Sequence, residues 1–207
     1  MDIQAMELSF RAENFKKVIS ETTCTNINGD NINVEHATKL SMAWLFEQRE
    51  HKNAIYIIGN GGSAAVASHA QIDFLNVAKL KAKVLHESST ITCMANDYGY
   101  ENTFSRILET FMAEKDLLIA ISSSGKSQNI CKAVTYAKKM GSKVITLSGF
   151  KSDNPLRQLG DLNYWLNSTD YGFVEIGHQF ILHNLSDRFG LLKNDVIIQQ
   201  ERDVALI

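Results

Sequence analysis

The chain has 207 residues, of which 44% are hydrophobic and 21% charged, and its formal net charge is −2. This length allows one domain with a sizeable core, and the near-neutral charge argues against a nucleic-acid or membrane-surface binder. No apolar run approaches the ~20 residues of a membrane span, and the first ten residues lack the apolar stretch of a signal peptide. Three cysteines without metal-type spacing indicate a reduced protein, so we expect a cytoplasmic location.

The first 50 residues are predicted to form a pair of helices. Apolar residues recur at roughly helical spacing between Asp2 and Glu21, and again between Val34 and Glu50. The polar segment 23–31 between them contains Asn-Gly-Asp, which is typical of a turn. The sequence therefore predicts two helices separated by a loop.

From residue 54 onward, predicted strands alternate with predicted helices. The predicted strands are 54–59, 83–85, 116–122, 143–148 and 162–166. The predicted helices are 64–75, 100–111, 127–140, 154–159 and 173–192. This alternation is typical of βαβ units and predicts an α/β fold with a single doubly wound parallel sheet of the flavodoxin-like kind. We divide the chain into N-terminal helices (1–50), an α/β domain (51–195) and a tail (196–207).

A glycine-rich loop, Gly59 to Ser63, joins the first of these strands to a helix. Glycines here let the backbone turn tightly and approach a ligand, and the amides at the helix N-terminus can bind an anion. Three interpretations are open. The loop fits a dinucleotide fingerprint with Glu87 as ribose ligand, or it is only a structural turn, or it binds a small phosphorylated ligand.

A serine-rich loop, Ser122 to Ser127, follows the third strand and again begins a helix. Four hydroxyls in six residues form a dense set of donors for phosphate oxygens. Ser127 alone could cap the helix, which would not require the other three. The segment also fits a relaxed Walker A pattern, but Ala120 stands inside an apolar strand where a P-loop needs a flexible glycine. The two loops together favour a phosphorylated ligand without a nucleotide cofactor.

Four motifs in this order resemble the SIS, or sugar isomerase, domain family, and within it the phosphoheptose isomerase branch. They are GNGGS (59–63), ANDYGYENTFSR (95–106), ISSSGKS (121–127) and KVITLSG (143–149). The resemblance implies a sugar-phosphate substrate and a homo-oligomer, typically a tetramer, with sites between subunits. It also implies the substrate-binding residues, which are Asn60, Gly61, Gly62, Ser63, Asp97, Ser122, Ser123, Ser124 and Ser127.

His69 and Asp73 are candidate catalytic residues on the helix after the glycine-rich loop. Their i, i+4 spacing places both on one helix face. Isomerisation through an enediol needs a base and a proton-shuttling acid, which histidines and carboxylates can supply. The resemblance implies that Asp73 is the base. It also marks departures, because Ile72 and Asp73 replace the two glutamates of the family pattern.

The last predicted helix carries Glu175, His178 and His183. The resemblance makes His183 the acid and places Glu175 where the family has a metal-binding glutamine. His69, Asp73, Glu175 and His183 would then form a zinc site with two histidines and two carboxylates. A regular helix separates Glu175 from His183 by about 12 Å of rise. Both could therefore bind one ion only if Glu175 precedes the regular helix or comes from another subunit.

Two functions from different classes follow from these residues. The leading hypothesis is a cytoplasmic isomerase that converts sedoheptulose 7-phosphate, or a related ketose phosphate, and feeds surface-polysaccharide (lipopolysaccharide) biosynthesis. The alternative is a non-catalytic SIS protein that senses a sugar phosphate or acts as an oligomeric adaptor. Ile72 and the shortened carboxylate of Asp73 motivate that alternative.

Overall fold

A mixed sheet of seven strands organises residues 6–191, which are the part of the chain that the computed structural model describes. In chain order the elements are α1 (Leu8–Ser20), β1 (Thr23–Asn26), β2 (Asn31–Ile32), α2 (Val34–His51), β3 (Ala54–Ile58), α3 (Gly62–Asn76), β4 (Lys81–Val84), α4 (Ser88–Tyr98), α5 (Thr103–Phe111), β5 (Leu117–Ser122), α6 (Gln128–Lys139), β6 (Lys143–Ser148), β7 (Leu162–Trp165) and α7 (Tyr171–Leu191). Short 3₁₀ turns occupy Tyr100–Asn102 and Pro155–Gln158.

The strand order is β2-β1-β7-β6-β5-β3-β4. The strands β4-β3-β5-β6-β7 are parallel, whereas β1 runs antiparallel to both β7 and β2. Numbered among themselves, the parallel strands have the order 2-1-3-4-5 of flavodoxin-like sheets. The predicted α/β fold is therefore confirmed. In such a sheet the topological switch point lies between β3 and β5, and ligands bind there.

Both faces of the parallel sheet are covered, which explains the unbroken apolar runs of its strands. All five residues of β3 are buried. Ile55 and Ile57 join the core beneath α2, α3 and α7, while Tyr56 and Ile58 join the core beneath α5 and α6. The period of two along the strand sends successive side chains to opposite faces.

The prediction of a loop over segment 23–31 was wrong in part. Thr23–Asn26 forms β1, which pairs with β7 from Thr23 opposite Trp165 to Asn26 opposite Leu162. Cys24 is fully buried between the layers. The Asn-Gly-Asp run does form the turn to β2, because the Asn26 side chain accepts from the amides of Asn28 and Asp30.

A helix that the sequence did not predict, α4, precedes α5. It has no buried residue, so it lacks the apolar stripe by which helices are recognised. The carboxylate of Glu87 caps it by accepting from the amides of Ser89 and Thr90. The Ser89 hydroxyl, together with these amides and the Thr90 hydroxyl, lowers the pKa of Glu87 to about 2. Glu87 is therefore engaged in capping and is not presented as a ribose ligand.

The predicted division at residues 50 and 195 stays a prediction, and the predicted tail 196–207 lies outside the described residues. Within residues 6–191, no helix combines the length and apolarity needed to cross a membrane.

Candidate active site

The two loops predicted to bind phosphate meet at the switch point between β3 and β5. They enclose a pocket of about 260 Å³. Its lining consists of Asn60, Gly61, Gly62, Ser63, Ile121, Ser122, Ser123, Ser124, Ser127, Tyr171 and Glu175. Every predicted substrate-binding residue except Asp97 is in this set. Among the described residues, no lysine or arginine lines this pocket, so hydroxyls and backbone amides are its available donors to an anion.

The glycine-rich loop directs the N-terminus of α3 into this pocket. Gly61 precedes the first turn with φ +53°, and Ser63 is buried. Gly62 lies so close to the Glu175 carboxylate that a β-carbon there would overlap it. A side chain at this position would displace the Glu175 carboxylate, which glycine allows to lie against the backbone. The positive end of the α3 dipole stabilises negative charge at this point.

The serine-rich loop supplies hydroxyl groups that the protein itself leaves largely unused. Ser122 Oγ donates to Ser127 Oγ at 3.2 Å, and Ser124 Oγ accepts from the Lys126 amide at 3.3 Å. Ser123 Oγ is buried without a partner among the described residues. Ser127 stands at the start of α6 but makes no capping hydrogen bond with its side chain. Capping therefore does not account for the serines, whereas a bound anion would satisfy them.

Asn60 is held in place by residues that sequence reasoning missed. Its side-chain amide exchanges two hydrogen bonds with that of Asn129, both at 2.9 Å, and its Oδ1 also accepts from Tyr100 Oη at 3.0 Å. Asn129 is buried in the first turn of α6, next to the serine-rich loop. The position of Asn129 in the turn directly after the serine-rich loop is the sequence feature that could have marked it as a site residue.

Asp97 does not line the pocket. It lies on α4, where Asn96 Nδ2 donates to its Oδ1 at 2.9 Å and Cys93 Sγ donates to its Oδ2 at 3.7 Å. Its predicted role near the sugar hydroxyls is not supported by the arrangement within one chain.

A second group of polar residues joins α3 to α7. Asp73 Oδ2 lies 3.1 Å from His183 Nδ1 and 3.5 Å from His69 Nε2. The two imidazole rings meet edge to face with their centroids 4.7 Å apart. One ligand atom from each of the three residues lies within 4.8 Å of the others, which is close enough to hold one metal ion. The Asp73 oxygen is buried and makes no hydrogen bond of acceptable geometry among the described residues.

Glu175 is not a member of this group within one chain, and its place in the four-ligand set stays a prediction. The helical rise of about 12 Å to His183 leaves its carboxylate at the other end of the α3–α7 contact, against Gly62. His178 is fully buried and its Nε2 lies 3.1 Å from the Ser148 carbonyl oxygen, in agreement with the interpretation of a packed histidine. Burial lowers its pKa to about 4.

The flavodoxin-like sheet, with an anion pocket of paired glycine and serine loops at its switch point, defines a sugar-isomerase (SIS) domain. The SIS domain family matches residues 6–149. The phosphoheptose isomerase of Helicobacter pylori (strain P12) is 35% identical over 160 residues, which cover 74% of this chain and 83% of that protein. This chain belongs to the phosphoheptose isomerase family of SIS-domain proteins, so the predicted resemblance is confirmed.

Solved structures of this family share the fold. A phosphoheptose isomerase from Neisseria gonorrhoeae has a TM-score of 0.75 and 25% identity, covering 92% of this chain and 100% of that chain. One from Francisella tularensis has a TM-score of 0.77 and 24% identity with the same coverage. The match extends beyond the glycine and serine loops to most of the chain.

Proposed function

We propose that this protein is an aldose–ketose isomerase of a sugar phosphate, with sedoheptulose 7-phosphate as substrate and D-glycero-D-manno-heptose 7-phosphate as product. The observation that carries the proposal is a pocket suited to an anion at one end of the α3–α7 contact and a carboxylate between two histidines at the other end. The names and sequences of the relatives support the choice of substrate.

Asp73 and His183 divide the proton transfers of this reaction. Isomerisation moves a proton between adjacent carbons and a second proton between the two oxygens. Asp73, whose Oδ2 is buried between the two imidazoles, accepts the carbon-bound proton. His183, whose Nδ1 faces Asp73, shuttles the proton on oxygen. Ser63 and the serine-rich loop anchor the phosphate and fix the sugar chain relative to these groups.

Zn²⁺ fits the group formed by His69, Asp73 and His183. Two imidazole nitrogens and one carboxylate oxygen are a donor set that zinc takes in catalytic sites. The Asp73 oxygen, buried without a hydrogen bond of its own, is the atom that a metal would satisfy. A bound zinc ion would act as a Lewis acid on the substrate oxygens.

A homo-oligomer, which we expect to be a tetramer, would cover the exposed apolar side chains around this group. Ile72 on α3 and Ile176 and Phe180 on α7 are each more than half exposed. Exposed apolar clusters beside a site are typical of subunit contacts. We also propose a cytoplasmic location and a role in supplying heptose for lipopolysaccharide.

An assay with purified protein and sedoheptulose 7-phosphate tests the proposal. We expect formation of the aldose phosphate, with activity that falls on chelation and returns with Zn²⁺. No turnover of sedoheptulose 7-phosphate or any related ketose phosphate, with or without zinc, would refute it.

The substitution of Ile72 and Asp73 for the family's two glutamates motivates the non-catalytic alternative. The double variant Ile72→Glu, Asp73→Glu separates the two functions. An isomerase requires measurable turnover by the wild type. A sensor or adaptor would bind the sugar phosphate without turnover, and only the double variant could gain activity.

A further inference from the structure

A second cavity, of about 540 Å³, lies between the turn joining β1 to β2 and the segment 152–158. It shares no lining residue with the serine-loop pocket. Its volume falls in the range of roughly 300–1,000 Å³ in which small molecules bind. Arg157 is the one charged residue of its lining, and amide side chains supply much of the remainder. The cavity is therefore polar and positively charged.

Arg157 is fixed in position before any ligand arrives. Its Nη1 donates to the Ser152 carbonyl oxygen at 2.9 Å, and its Nη2 donates to Thr23 Oγ1 at 3.1 Å. The guanidinium also lies over the Trp165 ring, with Cζ 4.7 Å from the ring centroid. Because these contacts already order the side chain, binding of a ligand would cost less of the side chain's conformational entropy.

The charge of Arg157 has no counter-ion within 4.0 Å among the described residues. Arg11, Arg106 and Arg188 each form an ion pair with a carboxylate, whereas Arg157 contacts only neutral acceptors. Its Nε is buried and lacks an acceptor, and burial lowers its pKa. A partly desolvated cation without a partner is costly, and an anion in the cavity would offset that cost.

The remaining donors of Arg157 suit an oxyanion. A guanidinium has five N–H groups; two of them donate to protein and the Nε–H is buried, so one N–H on each Nη atom remains for a ligand. Its planar fork matches carboxylate and phosphate oxygens. The side chains of Asn28, Asn31 and Gln158 add donors and acceptors around the same space. We propose that this cavity binds a small oxyanion, a phosphate monoester or a carboxylate, at a site separate from the serine-loop pocket and independent of the proposed isomerase activity.

Titration calorimetry of the full chain with inorganic phosphate and, separately, with succinate tests this proposal. The titrations use a Ser123→Ala, Ser124→Ala background, which weakens the serine-loop pocket and leaves the Arg157 cavity intact. We expect binding of phosphate, succinate or both in this background. Adding Arg157→Gln should weaken it by about tenfold or more, because hydrogen bonds to a charged group are lost.

Arg106→Gln is the matched control, because Arg106 also lies over an aromatic ring but is paired with Glu109. It should leave binding unchanged. Asn31→Asp adds a negative charge to the lining, so it should also weaken binding of the anion. Because this variant keeps Arg157, its result does not depend on whether the Arg157→Gln protein folds. The absence of binding by either ion at millimolar concentration would overturn the proposal. So would equal affinities in the Arg157→Gln, Asn31→Asp and Arg106→Gln proteins.

Discussion

Asp73 Oδ2 lies 3.1 Å from His183 Nδ1 although the two residues are far apart in sequence. The contact depends on the packing of α3 against α7, which also places the Glu175 carboxylate against Gly62. The two helices thus position both the candidate catalytic group and one wall of the anion pocket. A change in how they pack would therefore alter substrate anchoring and proton transfer together.

Asp73→Asn should abolish most of the isomerase activity while leaving the fold intact. The amide is nearly the same size but cannot accept a proton from carbon, and losing a general base costs roughly 10²–10⁴-fold in rate. The measurement is kcat with sedoheptulose 7-phosphate, together with the melting temperature. Asp187→Asn, an exposed change on α7, is the control and should retain full activity. An Asp73→Asn protein with wild-type kcat would exclude Asp73 as the base.

Glu175→Gln should strengthen the binding of phosphate in the serine-loop pocket. Glu175 is the one charged residue of that lining, and its negative charge opposes a phosphate placed beside it. Removing a like charge a few ångströms away should raise the affinity about tenfold, and the effect should shrink at high salt. Calorimetric titration with inorganic phosphate at two salt concentrations measures it. Glu47→Gln, an exposed change on α2, is the control, and equal affinities in the two variants would contradict the prediction.

Asn129→Ala should raise the KM for the sugar phosphate more than it lowers kcat. The variant loses both hydrogen bonds that orient Asn60, while Tyr100 Oη keeps a single contact with it. Loss of two neutral hydrogen bonds costs about 1–3 kcal/mol. Steady-state kinetics give KM and kcat, and the melting temperature reports whether the variant is folded. Asn129→Asp restores an acceptor for Asn60 Nδ2, and so tests whether that one hydrogen bond is sufficient to orient Asn60. A KM unchanged in both variants would mean that Asn60 does not need this support.

Local patterns were sufficient to predict the parallel sheet and the positions of the glycine-rich and serine-rich loops. The strand β3 is a continuous apolar run, β5 is apolar up to Ser122, and each loop follows its strand directly. The pair His69 and Asp73 was also predictable, because four residues along a helix return to the same face.

Features that depend on distant pairing were not predictable in this way. The strand β1 forms because Thr23–Asn26 pairs with β7, which is far along the chain. Its own four residues, Thr-Cys-Thr-Asn, are too polar to predict a strand. The role of Asn129 depends on contact with Asn60, 69 residues away. The position of Glu175 against Gly62 was not predicted for a related reason, since it depends on how α7 packs against the start of α3.

The buried histidine on α7 should make the stability of the protein depend on pH. His178 has a pKa of about 4 in the folded chain, against an ordinary value of 6.5, because burial penalises its charged form. Between these values the unfolded chain binds more protons than the folded chain, so the free energy of unfolding falls as the pH falls from 6.5 towards 4. The full loss is about 3 kcal/mol, and it is absent above neutral pH.

Urea denaturation of the wild type and of His178→Gln at pH 7 and pH 5 measures this effect. The glutamine can keep a donor to the Ser148 carbonyl oxygen but cannot titrate. We expect the wild type to lose more stability between the two pH values than the variant, whatever the variant's stability at pH 7. His51→Gln removes an exposed histidine and should behave like the wild type. Parallel pH dependences in the wild type and His178→Gln would show that His178 is not the group responsible.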